Sequence, residues 1–167
     1  TLGSLREMAQ KSISIIKASH PDFNLQTADL TSAQTLKNQL PTNLQAVFTA
    51  AIENHQITLE AVKTFNETPD NIEKLGYLMR RHHEVLRDKL KITVPKIDTM
   101  IEAAGQAGAC GAKIVGSGGG GCIVALADEN KQEAVLKALE KVSKAAYAVS
   151  VTGGATVIND NNKILNT

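Results

Sequence analysis

The sequence predicts an α+β domain in which helices pack on one face of a mostly antiparallel sheet. Three observations carry that prediction. Apolar residues recur at helical spacing through the first two thirds of the 167-residue chain. After Gly108 the pattern changes to short segments rich in β-branched residues, "CGAKIVG" and "CIVALA". Between them lies "GSGGGG", residues 116–121, too glycine-rich to continue either a helix or a strand. Helices clustered first and a β-β-α-β order afterwards point to an α+β arrangement rather than alternating βαβ units.

Residues 1–40 carry the least legible pattern. Beyond them, Leu44, Val47, Phe48, Ala51 and Ile52 share one helical face, continued by Leu59 and Val62, which predicts a helix over about Thr42–Phe65. Pro69 ends it. Asp70 with Glu73 three residues on reads as a capping box, starting a helix that runs to about Leu90 and buries Ile72, Leu75, Leu78 or Met79, and Leu86. Thr93 and Pro95 start the next helix, with Ile97, Met100, Ile101 and Ala104 as its apolar stripe and Gly105 and Gly108 at its end. After the strand–loop–strand unit, "DENKQEAVLKALEKVSKAA" is an amphipathic helix with Asp128 as cap. "YAVSVT" and "ATVI" follow as further strand-like segments.

A hydrophobic content of 43% and a net charge of +1 suit one domain over residues 1–167 with a buried core. The same near-neutral charge argues against nucleic acid or an anionic membrane as the main partner, because those surfaces reward clustered Lys and Arg. The longest apolar run, Cys122–Ala127, is far short of a membrane span, and the N-terminus lacks a signal pattern. The expectation is a soluble, cytoplasmic protein. A hairpin centred on the glycine loop sets Cys122 opposite Val115 and leaves Cys110 at the open end, so no disulfide is expected between them. The opening Thr1 is consistent with a fragment of a longer chain.

Gly116, Gly118 and Gly121 formally satisfy GxGxxG, but the dinucleotide fingerprint needs a helix after the loop, and here a strand follows. No Gly-Lys-Ser or Gly-Lys-Thr closes a P-loop either. Two readings stay open: a flexible turn, or a backbone loop whose amides turn toward an anion. Two buried flanking strands speak against slack, since ordering each glycine costs backbone entropy. The neighbouring run "RRHHEVLRDKLK" is read mainly as surface: Arg80, Glu84, Arg87 and Lys91 recur at helical spacing as a solvated, charge-paired face. His82 and His83 diverge by about 100° on a helix and do not share a metal ion. Arg87 and Asp88 are expected to fix helix contacts, and Asp98 to answer a helix dipole.

The stretch "GAKIVGSGGGGCIVAL" resembles the third motif of the GHMP small-molecule kinases, Gly-Ala-Arg/Lys, two residues, Gly-Ala/Ser-Gly-Phe/Gly-Gly-Gly-Cys, then a strand. Gly111, Ala112, Lys113 and Gly116–Cys122 fill it in register. "LMRRHHEVLRDKLKITVPKID" is similar to the galactokinase block of that family through Leu78, Met79, His83, Leu86, Arg87, Asp88, Pro95 and Asp98, and "ENHQITLEA" adds Glu53, Asn54 and Ala61. Val115 and Gly119 in the glycine motif, His82 and Gln56 depart from the galactokinase pattern, and Lys113 and Gly119 are more like mevalonate kinase. The resemblance spans about Glu53–Ala155.

The resemblance implies a ferredoxin-like C-terminal domain of a two-domain, ATP- and Mg2+-dependent kinase, most like a galactokinase phosphorylating the anomeric hydroxyl of galactose. The active site then lies between this domain and an N-terminal catalytic domain that this sequence does not contain. No residue of this chain is expected to be catalytic or to bind metal. Gly116, Ser117, Gly118, Gly119, Gly120 and Gly121 are expected on the nucleotide's phosphate side, where Ser117 either donates to a phosphate oxygen or holds the turn. A cleft role for His83 or Arg80 is the lesser reading of those residues. The implied partners are the missing N-terminal domain and a small-molecule sugar. The alternatives are mevalonate kinase or another GHMP sugar kinase, or a non-catalytic ligand-binding relative.

Overall fold

Helices carry most of the chain. The computed structural model describes residues 2–116, 118–150, 157–158 and 164–165. Helices α1 (Leu2–Ser19), α2 (Leu30–Leu36) and α3 (Thr42–Glu67) come first, then α4 (Ile72–Glu84) and α5 (Pro95–Gln106). An antiparallel hairpin of β1 (Gly111–Val115) and β2 (Cys122–Leu126) follows, then α6 (Gln132–Val142). A second antiparallel pair, β3 (Val157–Ile158) and β4 (Ile164–Leu165), lies near the end. The predicted class holds, with antiparallel strands and helices packed on them; α5 and α6 cover the apolar face of the hairpin and α4 meets β1 from the other side. The "ATVI" segment supplies β3. Residues 147–150 of "YAVSVT" form no strand, and Val151 and Thr152 lie outside the described residues.

The N-terminal residues build a three-helix unit on the first half of α3. Ile16, Ala33, Leu36, Leu40, Leu44, Phe48 and Ile52 form its core, with the Phe23 and Phe48 rings 5.7 Å apart. Asp29 caps α2, accepting from the Ser32 amide at 2.7 Å, while the Ser32 hydroxyl returns a bond to the Asp29 backbone, a reciprocal box with serine in the place usually held by glutamate. Further along, α3 packs on α4 and the turn after it through Ala50, Ile57, Leu78 and Val85. One neighbouring helix covers a narrower stripe than two. Leu59 and Val62, expected on the buried face, therefore stay exposed, as does Phe65.

Helix α4 starts one residue later than its sequence signal. Asn71, not Asp70, is the cap, its side chain accepting from the Lys74 amide at 3.0 Å, so Glu73 is one position short of a capping box. Ile72 and Leu86, expected in the core, are only half-buried; Leu75, Leu78 and Val85 take the buried positions. Past Glu84 the chain continues as a π-helical turn, Val85–Lys89, closed by Leu90 N–H to the Val85 carbonyl at 3.2 Å. Lys91 then takes φ 52°, in the left-handed region, and Ile92 N–H reaches back to the Leu86 carbonyl at 3.1 Å. Asp128 makes no side-chain cap; a 3₁₀ turn, Glu129–Lys131, intervenes before α6.

Two contacts fix α4 to its neighbours. A carboxylate on the buried stripe of α3, Glu53, receives Arg81 at 2.8 Å and Lys89. Burial alone would push the Glu53 carboxyl up, but the hydrogen bonds from Lys89 and Arg81 outweigh it and hold the pKa below the ordinary 4.5. On its other side α4 meets β1 backbone to backbone. A β-carbon on Gly111 would stand 2.0 Å from the Gly76 carbonyl oxygen, and one on Gly76 would stand 2.4 Å from the Cys110 carbonyl.

The opposite face of the hairpin, carrying Ala112, Ile114, Ile123 and Ala125, is covered by Ile97, Met100 and Ala104 of α5 and by Val135 and Leu139 of α6. β1 and β2 pair in the register Gly111↔Leu126 through Val115↔Cys122. That register places the two cysteines as expected, and both are free.

Two measurements test this packing. Gly111→Ala in the full-length protein is expected to lower the unfolding free energy by about 2–3 kcal/mol in urea denaturation, because backbone on the far side of the contact cannot yield as a flexible side chain does. For Glu53, a depressed pKa means stability that is fully present above 4.5 and is lost as the pH falls through and below it. The stability gap between wild type and Glu53→Gln should therefore be constant at neutral pH and close as the pH is taken down through 4.5.

Candidate functional site

The glycine loop caps the end of the hairpin, and its backbone explains its composition. Gly116, Gly118, Gly119, Gly120 and Gly121 all have positive φ, at 84°, 78°, 73°, 135° and 93°. Gly118 and Gly119 differ from the others in what they touch. The Gly119 amide donates to the Ile92 carbonyl at 2.7 Å, and a β-carbon on Gly118 would stand 2.7 Å from that same oxygen and 3.0 Å from Ile92 Cβ. At Gly116, Gly119, Gly120 and Gly121 a β-carbon would meet nothing within 4 Å. One side of the loop is thus pressed against Ile92 and the other is open. Ser117 lies outside the described residues.

The loop's seat comes from the block that follows α4. The π-helical turn and left-handed Lys91 bring Ile92 back toward the hairpin, and Val94 and Pro95 then launch α5, with Ile97 and Asp98 amides bonding the Val94 carbonyl at 2.8 and 3.1 Å. Besides the core packing of Ile97 on Ile114, the two sequence motifs, residues 78–98 and 111–126, therefore meet at the glycine loop through one hydrogen bond and one steric contact, both made by Ile92.

Beneath the seat is a polar cluster. Lys113 of β1 is half-buried and donates to the Ile114 carbonyl at 2.9 Å; burial pushes its pKa down. His82 is lowered by burial, with Lys113 and His83 adding to the effect. His83 is 2% exposed, and its Nε2 lies 3.6 Å from Asp98 Oδ1. Burial drives the His83 pKa down, Asp98 opposes that, and Arg87 and Lys113 reinforce it. Asp98 Oδ2 accepts from the Thr93 hydroxyl at 3.4 Å. Among the described residues, no group of three His, Cys, Asp or Glu side chains could hold a metal ion, and no helix is long and apolar enough to cross a membrane.

Other sequence expectations divide. Arg80, Glu84, Arg87 and Lys91 are exposed as predicted, but the ion pair of that face is between sequence neighbours, Arg87 Nε to Asp88 Oδ1 at 2.8 Å, rather than along the helix. That pair does not fix contacts between helices. The cluster of Glu53 with Arg81 and Lys89 has a partial sequence signal, because a carboxylate one turn before Ile57 on an apolar stripe needs a partner. Gln56 donates to the Ala28 carbonyl at 2.8 Å, tying α3 to the start of α2. A concavity of about 830 Å³ runs along β2 between α6 and residues 143–149 and touches the loop at Gly121. The open side of the loop is the more informative feature, because its amides and missing β-carbons have a chemistry that a broad surface groove lacks.

Comparison with known proteins agrees with this geometry. The galactokinase of Glaesserella parasuis serovar 5 is 34% identical over 117 residues, covering 64% of this chain and 29% of the relative. The mevalonate kinase of Thermococcus gammatolerans is 41% identical over 91 residues, covering 54% of this chain and 24% of the relative. The crystal structure of Lactococcus lactis galactokinase complexed with galactose superposes with a TM-score of 0.65 at 25% identity, over 82% of this chain and 37% of that one. The chain spans less than a third of the length of the two curated relatives. Residues 59–145 match the family model described as GHMP kinases C terminal. Through that match, which includes the last turns of α3, α4, the Ile92 seat, the glycine loop and α6, the chain belongs to the GHMP kinases.

Proposed function

We propose that residues 1–167 are the C-terminal domain of an ATP-dependent small-molecule kinase of the galactokinase type, acting in the cytoplasm on the anomeric hydroxyl of galactose. The observation that carries this reading is the seated loop: glycines 116 and 118–121 at positive φ, anchored through Gly119 to Ile92 and open on the other side. Such a loop offers backbone amides to phosphate oxygens at close range, where a side chain would block approach. Its partner is an N-terminal domain that supplies the catalytic residues and closes the cleft.

ATP supplies the transferable phosphoryl group, and in phosphoryl transfer the protein's share is mostly positioning and charge stabilisation. The residues of this chain fit the phosphate side of that task. Gly116–Gly121 carry no carboxylate, so the loop suits anionic oxygens and leaves Mg2+ to groups outside it. Ser117 is assigned to the same loop, holding the turn or donating to a phosphate oxygen. Ile92 supports the loop from behind without facing the nucleotide.

A second reading has specific support: Lys113 and Gly119 follow the mevalonate kinase form of the motif, and the Thermococcus gammatolerans mevalonate kinase is 41% identical over the matched region. A substrate panel on the full-length protein separates the two. Galactose phosphorylation is the expected result. Turnover of mevalonate with no hexose accepted would replace the galactokinase reading, and an absent catalytic domain in the full gene product would replace both with a ligand-binding relative.

Two outcomes test the role of the loop. Gly118→Val in the full-length enzyme should raise the KM for ATP by roughly tenfold, because a β-branched residue at φ 78° against Ile92 must displace the loop. Unchanged kinetics would reduce the loop to a spacer. The chain alone should show no sugar phosphorylation above a blank, since one wall of a cleft is not a preorganised site; turnover by the purified chain, free of contaminating kinase, would contradict the two-domain reading.

A further inference from the structure

His83 is the buried group that the proposed function leaves unused. It is 2% exposed on α4, and neither ring nitrogen has a hydrogen-bond partner among the described residues. Asp98 Oδ1, 3.6 Å from Nε2, is likewise buried and unpartnered. A leucine would fill such a position without leaving polar atoms unsatisfied, so packing alone does not account for an imidazole there. The distance is just beyond a direct hydrogen bond, and a small shift of either side chain closes it.

What the pair touches gives it a task. His83 lies seven residues beyond Gly76, two helical turns along, so it shares the face of α4 that meets the hairpin. Asp98 is in the first turn of α5, and its second oxygen accepts from the Thr93 hydroxyl. Thr93 adjoins Ile92, whose carbonyl holds the Gly119 amide. We propose that His83 is a positioning residue for the glycine loop: paired with Asp98 across the α4–α5 junction, it sets the 92–94 segment and so the point from which the loop hangs.

The charged and titratable groups facing His83 are Asp98 from α5, Arg87 and Asp88 from the π-helical turn, Lys113 from β1 and His82 beside it. Burial and the two cations favour the neutral ring near pH 7, which has one N–H to give. The Nε2–H tautomer directs that donor at Asp98.

The effect on the loop stands by itself; only the effect on ATP rests on the phosphate-side reading. The test compares His83→Leu, His83→Gln and Asp98→Ala in the full-length protein, reading amide hydrogen exchange of the peptide spanning 114–122 together with KM and kcat for ATP. His83→Leu should speed exchange of the loop by roughly threefold or more and raise KM more than it lowers kcat. His83→Gln, which can place an amide N–H near the Nε2 position, should recover most of both. Loop exchange at the wild-type rate in folded His83→Leu, or a glutamine variant no better than leucine, overturns the proposal. Should His83→Leu not fold, Asp98→Ala, which removes the acceptor, decides alone: faster loop exchange supports the pairing and an unchanged rate overturns it. Faster exchange with an unchanged KM for ATP would uphold the positioning role and remove the phosphate-side reading instead.

Discussion

The contact between Gly76 and Gly111 is the constraint on which the placement of α4 against the β1–β2 hairpin depends. A helix and a strand can approach until their backbones touch only where neither carries a side chain at the crossing. Gly76 lies inside α4, where glycine costs up to about 1 kcal/mol relative to alanine, and the crossing is what that cost secures. With α4 held against the base of β1, its C-terminal end comes alongside the hairpin, and the turn that follows can reach the hairpin's tip. The glycines at the base and those at the tip thus answer different demands: the first pair permit proximity, the second set permit a backbone path.

Ile92 joins the two. Its position depends on a π-helical turn and on Lys91 in the left-handed region, a conformation that costs a non-glycine residue about 1 kcal/mol or more. Irregular backbone of this kind persists where surrounding contacts over-determine it. Here the Leu86 and Gly119 bonds hold both polar groups of Ile92, and Pro95 begins the next helix three residues on. The loop is therefore held on one side by a fixed strut.

Much of this was legible in the sequence. Helices over α3, α4 and α5 followed from apolar spacing and proline breaks, and the hairpin followed from β-branched runs around the glycines, down to the Val115–Cys122 pairing. The errors have local causes. Asp70 and Asn71 are both good caps, and only the backbone geometry chooses between them. Leu59 and Val62 fit a helical stripe, but how far along a helix its neighbours extend is not encoded in that stripe. The α2 cap was present as Asp29 and Ser32 in an unfamiliar order. The meeting of residue 92 with residues 118 and 119 had no sequence signal, since it uses a carbonyl and an absence of side chains, neither of which depends on what residue 92 is.

The length of α3 carries a consequence of another kind. At 26 residues it belongs to two cores, its first half to the α1–α2 unit and its second to α4. A rigid rod shared in this way couples the melting of the two ends, because fraying either half removes hydrogen-bonded turns that the other half needs as its continuation. The N-terminal helices, remote from the loop in sequence, thereby contribute to its cooperativity: loosening Phe48 and Ile52 shortens the platform on which α4, and then the hairpin, are built.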